Sequence, residues 1–140
     1  MKKVIAALLA VVMSMPVMGV TVAATATSMP HAKALQPTNI EITSYEKYIT
    51  AGDSYNVTGR LTSSGVGLGN EVIWYYWQNK NGVYVRDERL NFTTDVNGYF
   101  NDDNSWNKPG TYNQIYRFPG DDHYSGSISQ NVTITVGKLV

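Results

Sequence analysis

The sequence predicts an all-β antiparallel sandwich, and three observations carry that prediction. Apolar residues recur with period two: Tyr55, Val57, Gly59 and Leu61 alternate with Ser54, Asn56, Thr58, Arg60 and Thr62. Val132, Ile134 and Val136 alternate with Asn131, Thr133 and Thr135 in the same way. Each pattern describes a strand with one face in a core and one in water. Turn residues separate such runs at short intervals, and no sustained 3.6-residue periodicity follows Thr38.

The N-terminus reads as an address rather than a structural element. Lys2 and Lys3 precede an uninterrupted apolar run from Val4 to Met13, which Ser14, Pro16 and Gly19 break. Ala24-Thr25-Ala26 then fits a small-residue cleavage site. Residues 1–26 are therefore expected to be a secretory signal peptide, which makes the protein secreted, extracellular and cell-surface associated. A retained anchor is the rival, since Val4 to Ala24 would just reach across a bilayer. Residues 27–37, with Pro30 and Pro37 among small polar neighbours, read as a flexible leader. The domain proper is expected over 38–136, with 137–140 as a short tail.

Within it, strands are expected at 39–45, 47–50, 54–62, 71–78, 83–88, 89–94, 98–102, 111–118 and 127–136. Ala51-Gly52-Asp53 opens the third. Asn81-Gly82 and Asn97-Gly98 signal hairpins, as expected of type I′ turns, whose two central residues both need positive φ. Pro109-Gly110 and Pro119-Gly120 punctuate the last third.

Composition narrows function by exclusion. A chain of 140 residues allows one domain with a real core. Eleven basic and eleven acidic side chains leave no basic stripe for nucleic acid. The absence of Cys excludes disulfides, zinc knuckles and thiol nucleophiles, and two His cannot build a multi-histidine metal site. No cofactor is expected.

Several blocks, in this order, resemble the bacterial and archaeal immunoglobulin-like repeats of surface proteins. Gly59-Arg60-Leu61 and Gly65-Val66-Gly67-Leu68-Gly69 with Val72 resemble their opening; Thr93-Thr94-Asp95 with Asn97-Gly98-Tyr99-Phe100 resembles their central hairpin. Pro109-Gly110-Thr111-Tyr112, Phe118, Gly120-Asp121 with Tyr124, and Val132 to Val136 resemble their ending. The resemblance spans about Thr50 to Val136, as a single copy. It implies an immunoglobulin-like sandwich in one domain, used as spacer, stalk or adhesive tip and without catalytic residues. Gly67 stands where such modules commonly carry Pro, and the sequence shows neither a sorting motif nor a C-terminal apolar anchor.

Candidate chemistry is sparse. His123 lies beside Asp121, Asp122 and Ser125, but a triad is defined by convergent geometry, not by nearness in sequence. No catalytic residue is assigned and no enzymatic activity is expected. No metal is assigned either; the nearest approach to a calcium site is the oxygen-rich set Asp95, Asn97, Asp102, Asp103 and Asp121. Sequons at Asn56, Asn91 and Asn131 are permissive for glycosylation, although alternation produces such triplets by accident.

The aromatic run Val72-Ile73-Trp74-Tyr75-Tyr76-Trp77 is the most informative. The family register makes Val72 and Trp74 core, with Trp74 resembling the tryptophan of immunoglobulin strand C. Ile73, Tyr75 and Trp77 then lie outside. The same register points Tyr112, Gln114, Tyr116 and Phe118 inward and leaves Ile115 outside. If the two strands are neighbours, Ile73, Tyr75, Trp77 and Ile115, extended by Tyr84, form an aromatic outer face. Such a patch marks a partner or ligand site. The expected function is a non-enzymatic adhesion module of the cell envelope that recognises a polysaccharide or a surface protein. The alternative is a structural subunit that self-associates into homo-oligomers or docks onto a larger surface assembly.

Overall fold

The computed structural model describes residues 33–139. The segment expected to be a signal peptide lies outside them. The described chain is all strand and loop, in two sheets that face each other across one core. In chain order the strands are β1 (Asn39–Tyr45), β2 (Tyr48–Thr50), β3 (Ser54–Ser63), β4 (Val66–Gly67) and β5 (Val72–Gln78). They continue with β6 (Tyr84–Thr93), β7 (Tyr99–Ser105), β8 (Gly110–Phe118), β9 (Ser127–Ile128) and β10 (Val132–Gly137). The first sheet runs β7-β3-β1, with β4 paired to β3; the second runs β2-β10-β8-β5-β6, with β9 paired to β8. All pairings are antiparallel except β2 with β10. The all-β sandwich expected from alternation is therefore present.

Alternation fixes the core where only one parity is apolar. Ile40 and Ile42 of β1, Tyr55, Val57 and Leu61 of β3, and Val132, Ile134 and Val136 of β10 are all buried. Gly59 holds its place in this row because the Phe100 ring occupies the space of a side chain: a Cβ there would sit 2.3 Å from Phe100 Cζ. Among the described residues the first with an anchored backbone is Gln36, which bonds His123 and Ser125.

Two elements expected separately merge, and one expected strand divides. Residues 84–93 form a single strand, but its pairing with β5 jumps from Arg86 opposite Tyr76 to Asn91 opposite Trp74. Asp87 to Leu90 thus bulge away from the sheet opposite Tyr75. At the other end, the expected strand 127–136 is broken between β9 and β10.

Both hairpin turns differ from the expected type I′. At Asp95 to Gly98, the Gly98 N–H donates to Asp95 O and the Asp95 N–H to Tyr99 O, and positive φ falls on Gly98 alone. Gly82 repeats this with Asn79. These are type I turns closed by a left-handed glycine, the three-residue hairpin loop. Asp95 and Asn79 make that form possible, since each accepts two backbone N–H groups across its turn through its Oδ1.

Candidate functional site

Strand β5 has the opposite phase to the one expected. Ile73 and Tyr75 are buried, at 0% and 2% exposure, while Val72 and Trp74 face outward. Trp74 is therefore not the buried tryptophan of an immunoglobulin core, and Ile73 and Tyr75 do not lie on the outer face of the sheet. The strand is aromatic on both parities, so hydrophobicity cannot choose between them. Two polar requirements can. Arg86 and Arg117 flank Trp74, with guanidinium carbons 3.6 and 5.8 Å from its ring centroid, and two guanidiniums belong in water. The second requirement is Gln114 on the neighbouring strand.

Gln114 is fully buried, with Tyr112, Tyr116 and Phe118 on the same inward parity, as expected. A buried amide needs partners. Here Gln114 Oε1 accepts from the hydroxyls of Tyr55 (3.3 Å) and Tyr75 (3.2 Å), and Gln114 Nε2 donates to Tyr116 Oη at 2.7 Å. Tyr116 in turn donates to Asp102 Oδ2 at 2.6 Å. The network joins both sheets through the core. Burial pushes the Asp102 carboxyl up to about 6, against the opposing Tyr116 hydrogen bond. Burial likewise raises the hydroxyls of Tyr116, Tyr75 and Tyr55 well above the usual phenol range.

Above this network lies a cleft of about 540 Å³ at one end of the sandwich. Tyr55, Tyr75, Trp77 and Trp106 line it together with Leu90, Asp87 and Arg89. Its origin is local. The four-residue bulge of β6 lifts Asp87 to Leu90 off the sheet opposite Tyr75, and the end of β7 with the loop after it brings Asn104, Ser105 and Trp106 to the same end. Trp77 has the inward parity of Tyr75, but at the strand's end it remains 36% exposed. Trp106 stacks on Tyr112, with centroids 4.0 Å apart and planes 6° from parallel. Its carbonyl accepts from the Gly52 N–H. Asp87 and Arg89 close into a bidentate pair, with Nη2 to Oδ2 at 2.7 Å and Nε to Oδ1 at 2.9 Å. Those hydrogen bonds hold the half-buried Asp87 carboxyl down to about 2.

The expected site residues thus part company. Trp77 belongs to the end cleft. Ile115 and Tyr84 lie half-buried on the outer face of the second sheet, where Tyr84 bonds Asn131. Sequence reasoning missed Asp87, Arg89 and Leu90, whose only signal was the expected strand break between 88 and 89.

The acidic candidates do not converge. Asp102 turns into the core while Asp103 points away from it. Asp95 caps its own hairpin, and Asp121 accepts from the His123 and Tyr124 N–H groups. Among the described residues no three His, Asp or Glu side chains group as metal ligands. Ser125 Oγ donates to Gln36 O. The sequon residues are engaged with other polar groups: Asn56 with Asn101, Asn91 with Arg86, and Asn131 with Asn113 and Thr133.

No protein-family model and no curated protein sequence matches the chain. Its fold does recur among solved structures. A CARDB domain from Pyrococcus furiosus, solved in complex with di-metal ions, superposes with a TM-score of 0.50 at 12% identity, covering 76% of this chain and 96% of that one. Two structures of a β-glucosidase from Listeria innocua, with glucose and with isofagomine, give TM-scores of 0.45 and 0.47 at 14% and 15% identity. Each matches 74% of this chain but only 16% of the enzyme. What the likeness to the CARDB domain shows is the fold: an immunoglobulin-like β-sandwich.

Proposed function

We propose that the chain is an exported, non-enzymatic binding module of the cell envelope, and that it holds a carbohydrate unit in the end cleft. The observation that carries this reading is the pairing of two tryptophans, Trp77 and Trp106, in one cleft otherwise rich in hydrogen-bonding groups. Flat indole faces suit the apolar faces of sugar rings, while hydroxyls and amides suit their edges. The volume lies within the ordinary range of small-ligand sites. The Asp87–Arg89 pair supplies fixed acceptors and donors beside the rings.

Retention on purified cell-envelope polysaccharide tests the reading. Wild-type protein is retained, and Trp77→Ala and Trp106→Ala each abolish retention while circular dichroism stays native. Equal retention of wild type and both variants refutes the cleft. The alternative, a self-associating subunit, draws on the exposed Val83 and Val85 beside the free edge of β6. It predicts a mass that rises with protein concentration and falls back when Val85 becomes Lys.

A further inference from the structure

The outer face of the second sheet carries an electrostatic imbalance separate from the cleft. Its outward positions on β5, β8 and β10 hold no acidic residue, and the exposed Glu88 in the bulge of β6, two residues from Arg86, forms no ion pair among the described residues. Two arginines stand on this face. Arg86 lies over Trp74 at 3.6 Å and Arg117 flanks the same ring at 5.8 Å, so the two cations are less than about 10 Å apart, where like charges repel. Among the described residues the ion pair formed is Arg89 with Asp87, which leaves Arg86 and Arg117 without a carboxylate.

Their hydrogen bonds are also few and neutral. Arg86 Nη2 donates to Asn91 Oδ1 and Arg117 Nη1 donates to Tyr76 Oη, each at 3.3 Å. Arg86 Nε is buried with no acceptor among the described residues. A guanidinium has five donors in a rigid fork that matches a carboxylate. Stacking on Trp74 fixes the plane of the Arg86 fork, so little freedom is lost when an anion arrives.

We infer that Arg86, Arg117 and Trp74 form a binding site for the carboxylates of an acidic polysaccharide. The two arginines stand on the outer face of a sheet and not in an enclosed cavity, which suits an extended polymer better than a small enclosed anion. Charges recurring on neighbouring sugars meet both arginines at once. Farther along the same face, Gln78, Asn113 and Asn131 form a linked amide row suited to sugar hydroxyls. This site and the end cleft stand or fall separately.

The test is calorimetric titration of the full chain with polygalacturonate, with neutral dextran and phosphatidylglycerol vesicles as comparison probes. Wild type is expected to bind polygalacturonate, more weakly as salt rises, and to ignore dextran. Arg86→Gln/Arg117→Gln should weaken binding by roughly tenfold or more, the loss expected for two charge-assisted contacts. Arg86→Lys/Arg117→Lys keeps the charge without the fork and should fall between the two. Unchanged near-ultraviolet circular dichroism keeps the comparison within folded protein. The inference is overturned if wild type does not bind polygalacturonate, if the Gln variant binds equally well, or if the vesicles are bound in its place.

Discussion

The Tyr116 hydroxyl donates to Asp102 Oδ2 at 2.6 Å in the middle of the sandwich, linking β8 of one sheet to β7 of the other. A carboxyl so placed is held at about 6 because burial disfavours its charge. The folded state therefore keeps the Asp102 proton over a range where the unfolded chain has released it. Stability should fall as pH rises from about 4 to about 6 and level off above, the sign linkage gives for a raised acid. Asp102→Asn, which does not titrate, should remove this slope. Urea midpoints at pH 4.5 and 7.5 check both statements.

Gln114 is the hub of the same network. Replacing it by Leu strands the buried hydroxyls of Tyr55 and Tyr75 and takes one donor from Tyr116. The expected cost is about 2–4 kcal/mol, since an unpaired buried polar group costs more than its hydrogen bond contributes. Adding Tyr55→Phe and Tyr75→Phe should recover part of that loss. A denaturant series of the single, double and triple variants measures the coupling.

The phase of β5 has a direct consequence for stability. Tyr75→Ala should cost about 3–5 kcal/mol, as a large aromatic removed from a core does. Trp77→Ala, two residues on at the strand's open end, should cost about 1 kcal/mol or less. Similar small losses at both positions in thermal melts would contradict the observed register.

Gly59 and Phe100 make a steric pair across β3 and β7. The ring is packed against Phe92 and Tyr116 and has little room to yield. Gly59→Ala should therefore destabilise by about 2 kcal/mol through overpacking. Phe100→Leu in the same chain should relieve a large part of it, as equilibrium unfolding of the two variants would show.

Much of this fold was legible in the sequence because most strands are apolar on one parity only. Tyr55, Val57 and Leu61 could face only inward, as could Val132, Ile134 and Val136. Strand β5 was not legible by that rule, since Val72, Trp74 and Tyr76 match Ile73, Tyr75 and Trp77 in apolar character. The decisive information was polar and non-local: Gln114 Oε1 needed the donors that inward Tyr55 and Tyr75 supply, and Arg86 and Arg117 required an outward Trp74. The turn glycines were found but their turn type was not, because Asn79 and Asp95 cap a longer loop. The end cleft escaped notice for a related reason. It is assembled from a strand end, a bulge and a loop whose proximity only the folded chain creates.

The most direct test of the account is a titration of the protein with cell-envelope oligosaccharide, read by calorimetry and tryptophan fluorescence. Wild type should bind one ligand per chain with a change in indole emission, and Trp77→Ala and Trp106→Ala should each remove both signals with the fold intact. Binding that survives both substitutions, or no binding by the folded wild type, would contradict the assignment of the cleft as a carbohydrate site.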